Sequence, residues 1–195
     1  PGGISICAGG GVRLALERDP VVEHLYETND GTTPLSIVEA FVDEMMLLDD
    51  YLEELCKVNN AKTITIEGRG ANYPFSGFDQ MRFVEVDDIP GVDVLKVYPH
   101  ARSHRNGTKL FKVVHDNVDL RGIEVRLNTP ALRLITQNTN EVKGIWIDSP
   151  NGRKAIKCNK GVILACGGLE AAPEMQRQYW QINPVLSAAH RGNTG

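Results

Sequence analysis

The 195-residue chain lacks any uninterrupted apolar run near the roughly 18 residues a membrane-spanning helix requires, and this excludes a transmembrane segment. It also lacks a Cys-x-x-Cys pair and a secretory signal ahead of its cysteines. Cys7, Cys56, Cys158 and Cys166 stand far apart, so they read as reduced thiols in a cytoplasmic protein. No stripe of positive charge is present: 21 scattered Lys and Arg face 25 Asp and Glu, for a formal net charge of -4, and nucleic acid is excluded as a partner. There is no internal repeat, no low-complexity tract and no G-x-x-x-x-G-K-[ST] loop. The nearest approach to a dinucleotide fingerprint is Gly68-Arg-Gly70-Ala-Asn-Tyr73. It places Tyr73 where a third glycine must let helix and strand pack closely, so it is rejected. The chain begins at Pro1 without an initiator Met and ends in "HRGNTG", which reads as an internal piece of a longer protein.

What the chain does have is glycine in unusual density at one place. "GGISICAGGGVR", residues 2 to 13, carries five glycines in ten positions. After it, "LALERD" suggests a short helix closed by Pro20. "GTTPLSIVEAFVDEMMLLDDYLEELC" predicts a long helix, capped by Thr33, with Pro34 in its first turn and one apolar stripe through Ile37, Phe41, Met45, Leu48, Leu52 and Leu55. Short β-branched runs, "TITIE" and "MRFVEV", follow. "GTKLFKVVHDNVDLRG" returns to helical spacing and ends at Gly122. Strands "IEVRL", "ALRLI", "VKGIWID" and "KAIKC" come next, the last two around the turn "SPNG". "GVILA" lacks alternation, as expected of a strand buried on both faces of a sheet.

"GVILACGG", residues 161 to 168, followed by the helical "LEAAPEMQRQYW", brings glycines and a helix start to the end of a strand, an arrangement suited either to a ligand or to a tight turn. Cys166 there has no second thiol and no cation beside it, and is assigned a structural role. His100 and His104 are four apart, but Pro99 and polar neighbours favour a loop over a metal site. Asn106-Gly107-Thr108 matches a glycosylation sequon that reduced cysteines make irrelevant. His24, His115 and His190 lack partners that would define a triad. Met45 and Met46 read as core filling.

Taken in order, these pieces resemble the middle of a flavoprotein of the fumarate reductase and succinate dehydrogenase family, with its soluble relatives the ketosteroid and tricarballylate dehydrogenases. "GGISICAGGGVR" resembles the family's GG-x-[ST]…[SA]-GGG segment, and "TTPLSIVEAFVDEMMLLDDYLEEL" is similar to the segment that begins its capping excursion. "RGIEVRLNTPALRLI…VKGIWID" resembles a strand and hairpin near the adenine. "KGVILACGGLEAAPEMQRQY" is close to K.VILA[TC]GGFE.N.EM...Y, the most specific match. Ile4 stands where the family often has Asn, and Leu169 replaces the usual Phe.

The resemblance implies an α/β fold with an α+β cap: part of a glutathione-reductase-like FAD-binding domain, residues 1–19 and 106–195, interrupted by a capping domain over residues 20–105. It implies that Gly2, Gly3, Ser5, Ala8, Gly9, Gly10 and Gly11 approach the flavin ring and its ribityl or phosphate side. Pro130 and Ala131 would lie near the adenine, and Ala165, Cys166, Gly167 and Gly168 beside the ADP part. Approach of a cofactor edge to main chain favours positions without a Cβ. The family's G-x-G-x-x-G turn precedes the first residue and its substrate-binding Arg and His follow the last, so no catalytic residue is named; His104 and Arg105 are assigned a structural or solvated role. No metal is implied. The implied activity is hydride transfer between FAD and a C–C bond activated by a carboxylate or a ketone, on a small-molecule, carboxylate or steroid-like substrate. The 195 residues alone are expected to hold little FAD and to self-associate through uncovered apolar surface. Alternatives are a non-catalytic module of the same fold and a flavin oxidase of the aspartate oxidase type.

Overall fold

The computed structural model describes residues 2–67, 75–101, 106–137, 141–182, 184–185 and 192–194. They fall into two compact units, Gly2–Ile123 and Glu124–Gly195. In the first, β1 (Val12–Ala15), β2 (Lys62–Ile66) and β3 (Met81–Asp88) make an antiparallel sheet in the order β1-β3-β2. Alternation along the central strand sends side chains to opposite faces. Val84 and Val86, both fully buried, join Leu14, Leu52, Cys56 and Val113 in one cluster, whereas Met81 joins Ala15, Val21, Val38, Val42 and Met45 in another. Phe83 and Glu85 share the Met81 face.

Helices α1 (Arg18–Thr28), α2 (Leu35–Met45), α3 (Leu48–Cys56), the single turn α4 (Val94–Val97) and α5 (Gly107–Leu120) enclose that sheet. Pro20 lies in the first turn of α1, where its missing N–H removes no helical bond, so it starts a helix instead of closing one. The expected single long helix is two helices separated at Met46 and Leu47. α2 buries Val38, Val42 and Met45, and α3 buries Leu52 and Cys56, so Ile37 and Phe41 of the expected stripe are left 58% and 60% exposed. The apolar face is wider than one stripe, and spacing alone does not decide which half packs. Thr33 does not cap; its own N–H donates to Asn29 Oδ1. Met45 is buried as expected, whereas Met46 is exposed.

α5 is tied to α3 by the buried Asn117, whose Nδ2 donates to the Leu55 and Val113 carbonyls at 2.8 and 2.9 Å. Its C-terminus closes as the sequence predicts. Gly122 adopts φ 62°, its N–H donates to Asp119 O, and the Ile123 N–H donates to Val118 O. These are the paired bonds of a left-handed helix termination.

The second unit carries an antiparallel meander of β4 (Ala131–Gln137), β5 (Glu141–Ser149) and β6 (Gly152–Lys157). The predicted "SPNG" turn joins β5 to β6, with Gly152 at φ 90° and Ser149 Oγ donating to the Gly152 carbonyl. α6 (Pro173–Tyr179) follows, opened by its proline. Two predicted strands do not form. Residues 123–126 and 161–165 carry no strand pairing, and Ile163 and Leu164 are 93% and 66% exposed. An apolar run becomes a strand by exchanging backbone hydrogen bonds with a neighbour, and among the described residues none pairs with these.

A Cβ at Gly122 would meet nothing within 4 Å, so its cost is that of the left-handed backbone alone. Gly122→Ala is expected to lower stability by about 1 kcal/mol in urea unfolding; an unchanged midpoint would show that this termination contributes nothing.

Candidate functional site

The glycine run is bent by its first two members. Gly2 at φ 110° and Gly3 at φ 49° turn the chain into a 3-10 helix, Ser5–Cys7, that buries Ile6 against Tyr98 and Ala101. The Thr108 hydroxyl, buried in the first turn of α5, donates to the Ile6 carbonyl at 2.8 Å. From Ala8 onward the run lies on the head of α5. A Cβ on Gly10, which sits at φ 84°, would overlap the backbone of Asn106 and Gly107, and a Cβ on Gly107 would overlap the Ala8 carbonyl. Two main chains therefore touch where neither can carry a side chain. Gly11 lies against Phe83, whose Cδ1 would stand 2.9 Å from an added Cβ.

Within this run, Gly3 and Gly9 alone present an open face, with nothing within 4 Å of a built Cβ. The Gly9 side borders a hollow of about 330 Å³ lined by Ala8, Gly9, Gly10, Gly11, Ile66, Phe83 and Glu85. Its floor is the Gly9–Gly11 main chain beside Ala8, its wall one aromatic ring and one aliphatic chain, and the charged residue in its lining is Glu85. Asn106 Nδ2 donates to Glu85 Oε2 at 2.5 Å, fixing that carboxylate to the same helix head. Three consecutive glycines beside an apolar wall leave room for a flat ring system.

The other expected contacts belong to the second unit. Pro130 and Ala131 are exposed; the Pro130 carbonyl accepts from Asp148 N–H at 2.9 Å, and Ala131 opens β4 opposite Ile147. Ala165 and Cys166 are exposed and belong to no helix or strand. Gly167 holds φ 80° with Asn193 Oδ1 2.9 Å from a built Cβ, and Gly168 faces the Glu170 carboxylate. A polar knot fastens this turn. Asn193 Nδ2 donates to Glu170 Oε2, and the buried Gln176 donates to the Glu170 and Val185 carbonyls while accepting from Val185 N–H. All four cysteines are free, and burial pushes the Cys56 thiol pKa up.

Sequence reasoning missed Phe83, Glu85, Ile66 and the Asn106-Gly107-Thr108 head of α5. The only local trace was a glycine at a helix start, which was absorbed into a sequon. It also missed two histidine partners: His24 Nδ1 lies 2.8 Å from the Ser76 carbonyl, and Tyr98 Oη lies 2.7 Å from His115 Nδ1. His100 is exposed beside the Tyr98 ring, while His104, Arg105, His190 and the 68–73 glycine pair lie outside the described residues.

These features define an α/β fold with a hollow floored by a glycine run. The sequence profile of the family described as FAD binding domain matches residues 1–195. The chain belongs to that family, whose cofactor is FAD, in accord with the flavoprotein resemblance. Its fold is similar to that of 3-ketosteroid Δ1-dehydrogenase from Sterolibacterium denitrificans in complex with 1,4-androstadiene-3,17-dione, with a TM-score of 0.79 at 16% identity over 99% of this chain and 46% of that one. A 3-ketosteroid-Δ4-(5α)-dehydrogenase from Rhodococcus jostii RHA1, in complex with 4-androstene-3,17-dione, gives 0.72 at 12% identity over 98% and 44%. The open conformation of a flavocytochrome c3 fumarate reductase gives 0.70 at 16% over 98% and 32%. The chain thus spans less than half the length of each.

Two outcomes follow from the floor. Gly10→Ala is expected to cost more than about 2 kcal/mol or to prevent folding, while Gly9→Ala changes stability by less than about 0.5 kcal/mol, as read by thermal unfolding. Equal effects would remove the distinction between packed and open glycines. Beneath the floor, burial first, and then Asp116 and Asp119, push the Tyr98 phenol from 10.0 up to about 12. A raised folded-state pKa stabilises the protein fully below the unfolded value and is lost as pH rises through the folded one. Stability should therefore fall between pH 10 and about pH 12, and Tyr98→Phe should flatten that limb of a pH-dependent urea titration.

Proposed function

We propose that this chain is part of an FAD-dependent oxidoreductase that moves a hydride between the cofactor and a carbon of a C–C bond activated by an adjoining carboxylate or ketone. The observation that carries the reading is the bare main-chain floor at Ala8–Gly11, in a chain that belongs to an FAD-binding family. The two ketosteroid dehydrogenases and the fumarate reductase of similar fold support a small-molecule substrate with a polarised C–C bond.

When bound, FAD supplies the hydride chemistry. The residues of this chain shape its surroundings. Gly2, Gly3, Ser5, Ala8, Gly9, Gly10 and Gly11 are assigned to the ring side, where Gly3 and Gly9 present open faces. Gly10 against Gly107 holds the floor at a fixed height, and Phe83 and Ile66 keep water from one wall. Glu85, held by Asn106, sets the local charge. Pro130, Ala131 and Ala165 to Gly168 are assigned to the adenine and ADP side. Residues 1–19 and 106–195 are assigned to the FAD domain and 20–105 to the cap. No described helix is long and apolar enough to cross a membrane; the free thiols support a cytoplasmic setting, and exposed Ile163 and Leu164 support self-association.

The test uses the intact protein. Gly9→Val fills the open face, and is expected to weaken FAD binding by about tenfold or more while leaving the unfolding midpoint of the apoprotein unchanged. Stoichiometric FAD in the visible spectrum of this variant would overturn the floor assignment. Reoxidation of the dithionite-reduced protein by an enone or enoate under anaerobic conditions supports the activity, and inertness to both, together with no reduction by their saturated analogues, refutes it.

A further inference from the structure

We propose that one face of the β4-β5-β6 meander is a binding site for a small molecule that joins a flat aromatic ring to a phosphate group, with Trp146 receiving the ring and Arg133 and Arg153 the phosphate. The assignment does not rest on the flavoprotein reading.

The register of the meander brings these side chains together from three strands. Arg133 of β4 and Ala155 of β6 both stand opposite Trp146 of β5, and two residues along, Arg153 stands opposite Asp148. Partners across a ladder share a face, as do residues two apart on one strand, so Arg133, Trp146 and Arg153 project from the same side of the sheet. A hollow of about 420 Å³ lies there, lined by Leu132, Arg133, Trp146 and Arg153, and polar as well as apolar atoms form its surface. The polar side-chain groups of those four residues are the two guanidiniums and the indole N–H.

Neither guanidinium is neutralised from within. Among the described residues no carboxylate lies within ion-pair distance of Arg133 or Arg153, Asp148 included, whereas Arg18 and Arg126 are held by carboxylates at 2.6 and 2.7 Å. The Arg133 guanidinium carbon lies 6.0 Å from the Trp146 ring centroid, the outer limit of a cation–π contact, so the indole orients it without holding it. Strands about 4.8 Å apart set the backbones of Arg133 and Arg153 about 12 Å apart on either side of the indole. Two arginine side chains reaching inward from that span converge on a group lying over β5. Lys157, opposite Gly144, is a third cation on this face, and Asp148 is a carboxylate on it. The resulting positive excess matches the charge of a phosphate monoester, the guanidinium forks match its oxygens, and the indole offers a ring a surface to stack on.

The two arginines have a plainer alternative role. β4 and β6 are the edges of this sheet, and edge strands commonly carry cations that discourage pairing with other chains. In that role the arginines act independently of Trp146, and joining a ring to a phosphate brings no gain in affinity.

Calorimetric titration of the intact protein with 1-naphthyl phosphate, 1-naphthol and inorganic phosphate separates the two roles. 1-Naphthyl phosphate is expected to bind about tenfold or more tightly than either of its halves. Arg133→Gln combined with Arg153→Gln, both at exposed positions, is expected to remove that advantage, while Arg177→Gln on α6 keeps it. Absence of binding, inorganic phosphate binding as tightly as the aryl phosphate, unchanged affinity in the double variant, or an equal loss in Arg177→Gln each overturns the proposal. If the double variant does not fold, Arg153→Gln alone decides by the same criterion. The titrations are run with and without saturating FAD: equal affinity in both supports a separate site, and affinity lost on adding FAD assigns the face to the cofactor and overturns it.

Discussion

Everything at the candidate site depends on one contact between two main chains. Gly10 and Gly107 meet so closely that neither tolerates a Cβ, and the Thr108 hydroxyl pins the Ile6 carbonyl beside them. The contact sets the height of the floor and aims the open face of Gly9 outward. It also brings Asn106 within reach of Glu85. A glycine cluster is commonly read as flexibility; here most of its members are consumed by packing, and the open positions exist because their neighbours are immobilised.

The division of labour among the glycines also separates the two kinds of evidence for a cofactor. Gly2, Gly10 and Gly11 are accounted for by turns and close contacts within the chain. Gly9 is accounted for by neither, and Gly3 only by its positive φ; these two are the members of the run whose faces stay open. In the second unit the balance differs. Gly167 and Gly168 face the side chains of Asn193 and Glu170, and the polar knot around Gln176 organises the turn from within.

Local chemistry was legible in the sequence wherever a structure closes on itself. Gly122 ends α5, "SPNG" joins β5 to β6, and the β-branched runs "TITIE" and "MRFVEV" give the paired strands β2 and β3. Legibility failed wherever a distant partner decides. Ile37 and Val38 are both apolar, yet Val38 is buried in the cluster with Val21 and Val22 while Ile37 is exposed, because the choice lies in the shape of the surface beneath. "GVILA" has the composition of a buried strand, but composition does not supply the neighbour a strand must pair with. The glycine run stood out through its density and its family resemblance, while the walls that β2 and β3 contribute to the hollow beside it left no periodic or compositional mark.

The bond from Thr108 to Ile6 spans 102 positions of sequence. Loop closure on that scale is entropically expensive and slow relative to local helix formation. The floor therefore does not exist as a shape until the entire intervening excursion has been threaded and its far end has returned as a formed helix. The hollow's shape thus rests on a contact that no local segment can make by itself, and it is complete only where residues 106–108 meet residues 6–10.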